Sequence, residues 1–168
     1  MRIVIETIKH ENQRYPTVGD WLYDYTYFCN TCSQSLITPH IEDVKCVRCK
    51  TSMCLINTTL SIRVSELGDW RREALVAVHE LVEVLLCKHD GVEQASIDKF
   101  DIAFEEKRAA DLDTANPDEQ KLLLMLEPGD DPGAPYRKQH SFASGIERLL
   151  AAALDVEWMP YVEQVENL

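Results

Sequence analysis

Between Val76 and Gly91 the chain reads VAVHELVEVLLCKHDG, and His79-Glu80-Leu81-Val82-Glu83 interrupts that apolar run. On a helix, His79 and Glu83 are four residues apart, stack one turn above the other and can grip one ion. Glu80 projects about 100° round the helix, which puts it beside such an ion, where a carboxylate can deprotonate the ion's water. A second set of groups is more compact. FCNTC supplies Cys29 and Cys32, VKCVRCK supplies Cys46 and Cys49, and 13 residues separate the pairs. Each pair makes a knuckle that turns two thiolates onto one point, and two knuckles complete a tetrahedral four-sulfur shell. Lys45, Arg48 and Lys50 offset the excess negative charge of four thiolates on a divalent ion. Cys54 and Cys87 have no partner at such spacing and read as small buried hydrophobes.

The cysteine segment, residues 26–56, resembles a zinc ribbon with one structural zinc. The helix with His-Glu-x-x-ligand, fed by three strands, resembles the zincin metallopeptidases, in which residues at i and i+4 bind zinc and the intervening Glu is the general base. One departure stands out: Glu83 occupies the position where zincins carry their second histidine. A carboxylate there lowers the net charge of the ion and its power to acidify bound water. The resemblance implies a third ligand on the helix after the motif helix. RKQHSFASGIERLLAAALDV reads as such a helix, with Phe142, Ile146, Leu149, Leu150 and Ala153 as its apolar face. His140 and Glu147 lie at the edge of that face, and Ser144 and Ala151 share their stripe, leaving room for another helix. Either residue suits the third position. His140 is preferred, because His79, Glu83 and His140 form a two-histidine, one-carboxylate shell with an open position. The plain alternative is a solvated polar stripe on a core helix.

A rival pattern overlaps the first. Glu80-x-x-Glu83, then 14 residues, then Asp98-x-x-Asp101 resembles the acidic helices of all-α nucleotide pyrophosphohydrolases, which hold magnesium between facing carboxylates. Asp98 stands where that family has Glu, and the family has no N-terminal sheet. A charge run on an exposed helix also accounts for Asp98, Asp101, Glu105 and Glu106.

The elements that must position these groups are legible in outline. RIVIETI, TVGDWLYDYTYF and MCLINTTLSIRVSEL read as strands, with Leu60, Ile62 and Val64 alternating with Ser61, Arg63 and Ser65. The ribbon then falls between two strands as a long hairpin excursion. Asp69 caps a helix that Gly91 stops, and its apolar face is expected to be Leu75, Ala77, Val78, Leu81, Val82, Val84, Leu85 and Leu86. Asn116-Pro117 opens a shorter helix, and WMPYVEQVENL ends the chain as another. The expected fold class is α+β: a small N-terminal sheet against several helices with an inserted zinc ribbon, residues 1–168 forming a single domain.

Composition bounds the function. Seventeen Lys and Arg against 29 Asp and Glu give a net charge of −12, which repels phosphate backbones and argues against nucleic acid as a partner. No apolar run approaches the roughly 18 residues of a membrane span. The start lacks a signal-peptide pattern, so the expectation is a cytoplasmic protein whose cysteines bind metal. Two function classes follow: a metal-dependent hydrolase of peptide or amide bonds, with a second divalent ion, zinc or magnesium, at His79, Glu83 and His140; or a binding module whose ribbon docks a protein or peptide partner.

Overall fold

The structure, a computed structural model, describes residues 1–39 and 43–168. Four strands, β1 (Arg2–Ile8), β2 (Gly19–Phe28), β3 (Ser35–Thr38) and β4 (Cys54–Ser65), form one sheet in the order β1-β4-β2-β3. The central strand β4 runs parallel to β1, with Ile62 beside Ile5, and antiparallel to β2, with Ile62 beside Trp21 and Leu60 beside Tyr23. Its alternation sends Leu60, Ile62 and Val64 into the core, because successive side chains of a strand point to opposite faces. The cysteine-rich segment is the expected excursion. The chain leaves the sheet after Phe28, adds β3 along the outer edge of β2, and re-enters at Cys54, which pairs with Phe28. Residues 40–42, within the span assigned to the ribbon, lie outside the described residues.

Five helices follow: α1 (Trp70–Asp90), α2 (Gln94–Thr114), α3 (Pro117–Leu124), α4 (Arg137–Ala153) and α5 (Trp158–Glu166). The Asp69 side chain accepts the Arg71 N–H, and Gly91 ends α1 at φ 73, a left-handed conformation that glycine adopts without steric cost. Asn116 and Glu119 form a capping box at the start of α3. The core lies where α1 crosses the sheet, around Trp21, Tyr23, Leu60, Ile62, Leu75, Val84 and Cys87. Leu60, Ile62, Leu75 and Val84, fully buried, each contribute about 1.5–3 kcal/mol by leaving water. Among the described residues, no helix is long and apolar enough to cross a membrane.

Helix periodicity identifies the packed faces only in part: Leu75, Ala77 and Val84 of α1 are buried as expected. In α1 the buried set includes His79, Glu83 and Cys87, whereas Leu85 is exposed and Leu81 and Val82 are only half-buried. In α4 the buried residues are Gln139, His140, Ala143, Glu147 and Ala151, while Phe142, Leu149 and Ala153 of the expected apolar face point outward. The polar stripes of the two helices face each other. Hydrogen bonds among His79, Glu83, His140 and Glu147 offset much of the usual cost of burying them. The small side chains of Ala143 and Ala151 allow the close approach. Two further expectations are corrected. Cys54 is exposed, and α2 is more than an exposed charge run, because Asp101 is buried and accepts the Tyr136 hydroxyl at 2.7 Å.

Candidate metal centres

The cysteine cluster rests on two turns of one shape. After Cys29, the Ser33 N–H donates to the Cys29 carbonyl; after Cys46, the Lys50 N–H donates to the Cys46 carbonyl, both at 2.9 Å. Ser33 (φ 57) and Lys50 (φ 61) take the same left-handed conformation at equivalent positions. The cysteine N–H groups repeat the likeness, Cys29 donating to Gln34 and Cys46 to Thr51. The result brings Cys29 Sγ to 3.4 Å from Cys49 and Cys32 Sγ to 3.3 Å from Cys46, with Cys32 and Cys49 3.8 Å apart. A tetrahedral ion with sulfur bonds of about 2.3 Å separates its ligands by roughly 3.8 Å, so these four thiols are close to the spacing an ion needs. None is in a disulfide.

The second cluster is assembled from distant elements. α1 supplies His79, Glu80 and Glu83, and α4 supplies His140 and Glu147. His79 Nε2 lies 3.1 Å from His140 Nδ1, His140 Nδ1 lies 3.0 Å from Glu83 Oε2, and His79 Nε2 lies 3.5 Å from the same oxygen. Bonds of about 2.0–2.1 Å to one tetrahedral ion place nitrogen and oxygen ligands roughly 3.3 Å apart. The triangle fits an ion without rearrangement. All three residues are buried.

The remaining ligand atoms are held from behind. His79 Nδ1 lies 2.8 Å from Glu147 Oε2, and the other Glu147 oxygen accepts the Tyr161 hydroxyl from α5. Trp21 Nε1–H donates to Glu83 Oε1 at 3.2 Å, leaving Oε2 for the triangle. His140 Nε2 faces Glu127 at 3.2 Å and Asp130 at 3.9 Å. Each imidazole therefore has a carboxylate behind it, the arrangement that fixes a ligating histidine's orientation and raises its basicity. Glu147, a candidate third ligand by sequence, takes this supporting position, and His140 completes the triangle. Glu127, Asp130 and His140 Nε2 also converge closely enough to hold an ion. Gly129 makes room for the His140 ring: a Cβ there would lie 2.5 Å from Nδ1 and 2.7 Å from Cδ2.

The electrostatics reflect the crowding of carboxylates. Burial alone would lower the His79 pKa, but its bonds to Glu147 and Glu83 hold it well above the ordinary imidazole range. Burial acts likewise on His140, and Glu127 and Glu83 bring it up to about 9. Glu83 would be raised by burial, yet the two imidazoles hold it down at about 2. A divalent cation bound here would displace imidazole protons, which makes its binding pH-dependent. Glu80 differs. Burial and the neighbouring Glu83 push it well above the usual carboxylate range, and it stands against Gly19, where a Cβ would come within 2.8 Å of its Cδ.

Glu80, Glu83, His79 and His140 line a cavity of about 250 Å³ together with Tyr15 and Asp101. Of the rival acidic set, Asp98 also lines this cavity but is paired at 3.2 Å with Arg14, which also holds Asp20 at 2.6 Å. Asp101 lines the same cavity but bonds to Tyr136. Burial raises its carboxyl to about 7. Sequence reasoning missed Glu127, Tyr161, Trp21 and the two close-packed glycines. Glu127 and Gly129 sit in the acidic loop EPGDDPGAPY, where nothing in the spacing ties them to His140.

A scan of protein-family models, a search of curated proteins and a search of solved structures each give no match to this chain.

Proposed function

We propose that the chain is a metal-dependent hydrolase of zincin-like type acting on peptide or amide bonds, with a structural zinc on Cys29, Cys32, Cys46 and Cys49. The observation that carries this reading is the triangle of His79 Nε2, Glu83 Oε2 and His140 Nδ1, with separations of 3.0–3.5 Å at the wall of a cavity. A divalent ion held there, zinc or magnesium, supplies Lewis acidity toward water and a substrate carbonyl. Glu80 faces the same cavity without belonging to the triangle; a cation held in the triangle would favour its ionised form, in which it can accept the proton that the nucleophile loses. Glu147 and Tyr161 fix the plane of His79, Glu127 backs His140, and Trp21 keeps one Glu83 oxygen occupied so that the other points inward. In this reading residues 1–168 are one domain with 26–56 inserted, and six free cysteines suit the reducing cytoplasm.

A second reading is favoured by the ribbon surface, where Ile37, Val47, Leu55 and Ile56 are all exposed. Such residues suit docking of a protein or peptide partner, whether or not the buried site is catalytic.

Metal analysis and assay test the proposal together. Purified protein should carry two ions per chain, and a panel of peptides and nucleoside triphosphates with zinc or magnesium should reveal peptide or amide hydrolysis. Glu80→Gln is expected to keep both ions while lowering turnover by at least 100-fold. Turnover unchanged in Glu80→Gln would remove that residue as the base. One ion per chain and no turnover would leave the binding module.

A further inference from the structure

The outward face of α4 is unusual for this chain. Its side opposite the buried stripe carries Lys138, Phe142, Gly145, Leu149 and Ala152, all exposed, with Phe142 at 57% and Leu149 at 70%. Across Arg137–Ala153 the sole carboxylate is Glu147, and it is buried. In a molecule of net charge −12, a face without carboxylates is where two copies can meet with least repulsion. Gly145 is a second oddity. It lies mid-helix, where glycine is unfavourable, and among the described residues nothing lies within 4 Å of where its Cβ would stand. Among those residues no contact calls for its small size.

We propose that this face binds a second copy of the chain, α4 against α4, antiparallel about a two-fold axis at the level of residue 147. In a two-fold interface, residue i meets j and j meets i. With the axis at that level, Phe142 meets the partner's Ala152 and Leu149 meets the partner's Gly145. Each large side chain faces a small one, twice over by symmetry, and all four positions fall within about 80° of the helix surface. The ends match in charge. Arg137 and Lys138 at the start of α4 come to the end where the partner's Asp155 and the partner's Glu157 are exposed. Antiparallel pairing brings these opposite charges together; parallel pairing would bring like charges together. Lys138 keeps its ion pair to Asp90 at 3.3 Å, but its side chain is 85% exposed and accessible to a neighbour. Two helices of this length bury less than the roughly 1,200 Å² of a standard interface, so the dimer is a weak one.

Sedimentation equilibrium of the full chain, at concentrations up to the order of 100 µM, tests this. The parent chain should dimerise, and Phe142→Lys should raise the dissociation constant at least tenfold. Gly145→Leu should do the same while leaving the thermal midpoint of the monomer unchanged or higher, because the added side chain fills empty space and favours the helix. A merely structural role for Gly145 predicts the reverse. Arg137→Glu and Glu157→Arg should each weaken association, and the double variant should restore it to within about threefold of the parent. A monomeric parent over the whole range overturns the proposal. So does a dimer that persists in both Phe142→Lys and Gly145→Leu, and a double charge reversal that fails to restore association overturns the antiparallel register.

Discussion

The four thiols lie between Cys29 and Cys49 on two turns with the same hydrogen bonds, whereas His79 and Glu83 meet His140 across 61 and 57 residues and the packing of two helices. The first cluster therefore contains its own scaffold. The second is part of the core, since the stripe that holds it is also the contact between α1 and α4. A locally built site can be lost without consequence for the rest of the chain; a site built from a helix interface cannot.

Three perturbations would break or sharpen that contrast. The largest effect is expected from Cys29→Ser with Cys46→Ser. Structural zinc contributes on the order of 10 kcal/mol where it organises a small segment, so residues 26–56 should lose their amide protection and one ion while β1, the inner half of β4 and the helices keep theirs. Hydrogen exchange would read this directly, and loss of protection throughout the core would erase the distinction. Next comes His79→Ala, which strands Glu147 and Glu83 in the interior. Breaking a buried pair on one side costs about 3–5 kcal/mol, so the whole domain should unfold at lower denaturant, with the cysteine-bound ion retained. The smallest is a pH effect at Asp101. Its folded-state value of about 7 lies above the ordinary aspartate value, so folding favours the protonated form. The stability this confers is complete below about pH 4 and is lost as pH rises through 7. Asp101→Asn, which keeps an oxygen for the Tyr136 hydroxyl, should match the parent at pH 4. By pH 8 it should exceed the parent by roughly 2 kcal/mol, against a ceiling of about 4. Parallel melting curves across that range would show that burial does not raise the Asp101 carboxyl in this way.

What the sequence disclosed follows the same division. The cysteine spacing, the strand alternation of Leu60, Ile62 and Val64, the Asp69 cap and the Gly91 stop are signals that a few adjacent residues carry, and the structure reproduces each. The convergence of His79, Glu83 and His140 was also legible, from i, i+4 spacing and residue type. The packed faces were legible only in part. Periodicity assumes that the apolar side of a helix turns inward, and it fails where polar groups satisfy one another, as His79 does with Glu147. Phe142 and Leu149 point outward for that reason. Glu127 and Gly129 could not be assigned, since only the return of the chain ahead of α4 brings them to His140.

Strand β2 has a metric consequence. It begins at Gly19 against Glu80, bonds Glu83 through Trp21, and ends at Phe28, next to Cys29. At about 3.3 Å per residue, Trp21 and Cys29 are separated by roughly 25 Å of paired backbone. The strand is a spacer, paired with β4 as far as Phe28 with one irregularity between Thr26 and Tyr27. Anything that grips the cysteine-bearing end is held one strand-length from the cavity. It is too far to reach the cavity itself, yet close enough to present a tethered polymer to it at a fixed distance from the point of attachment.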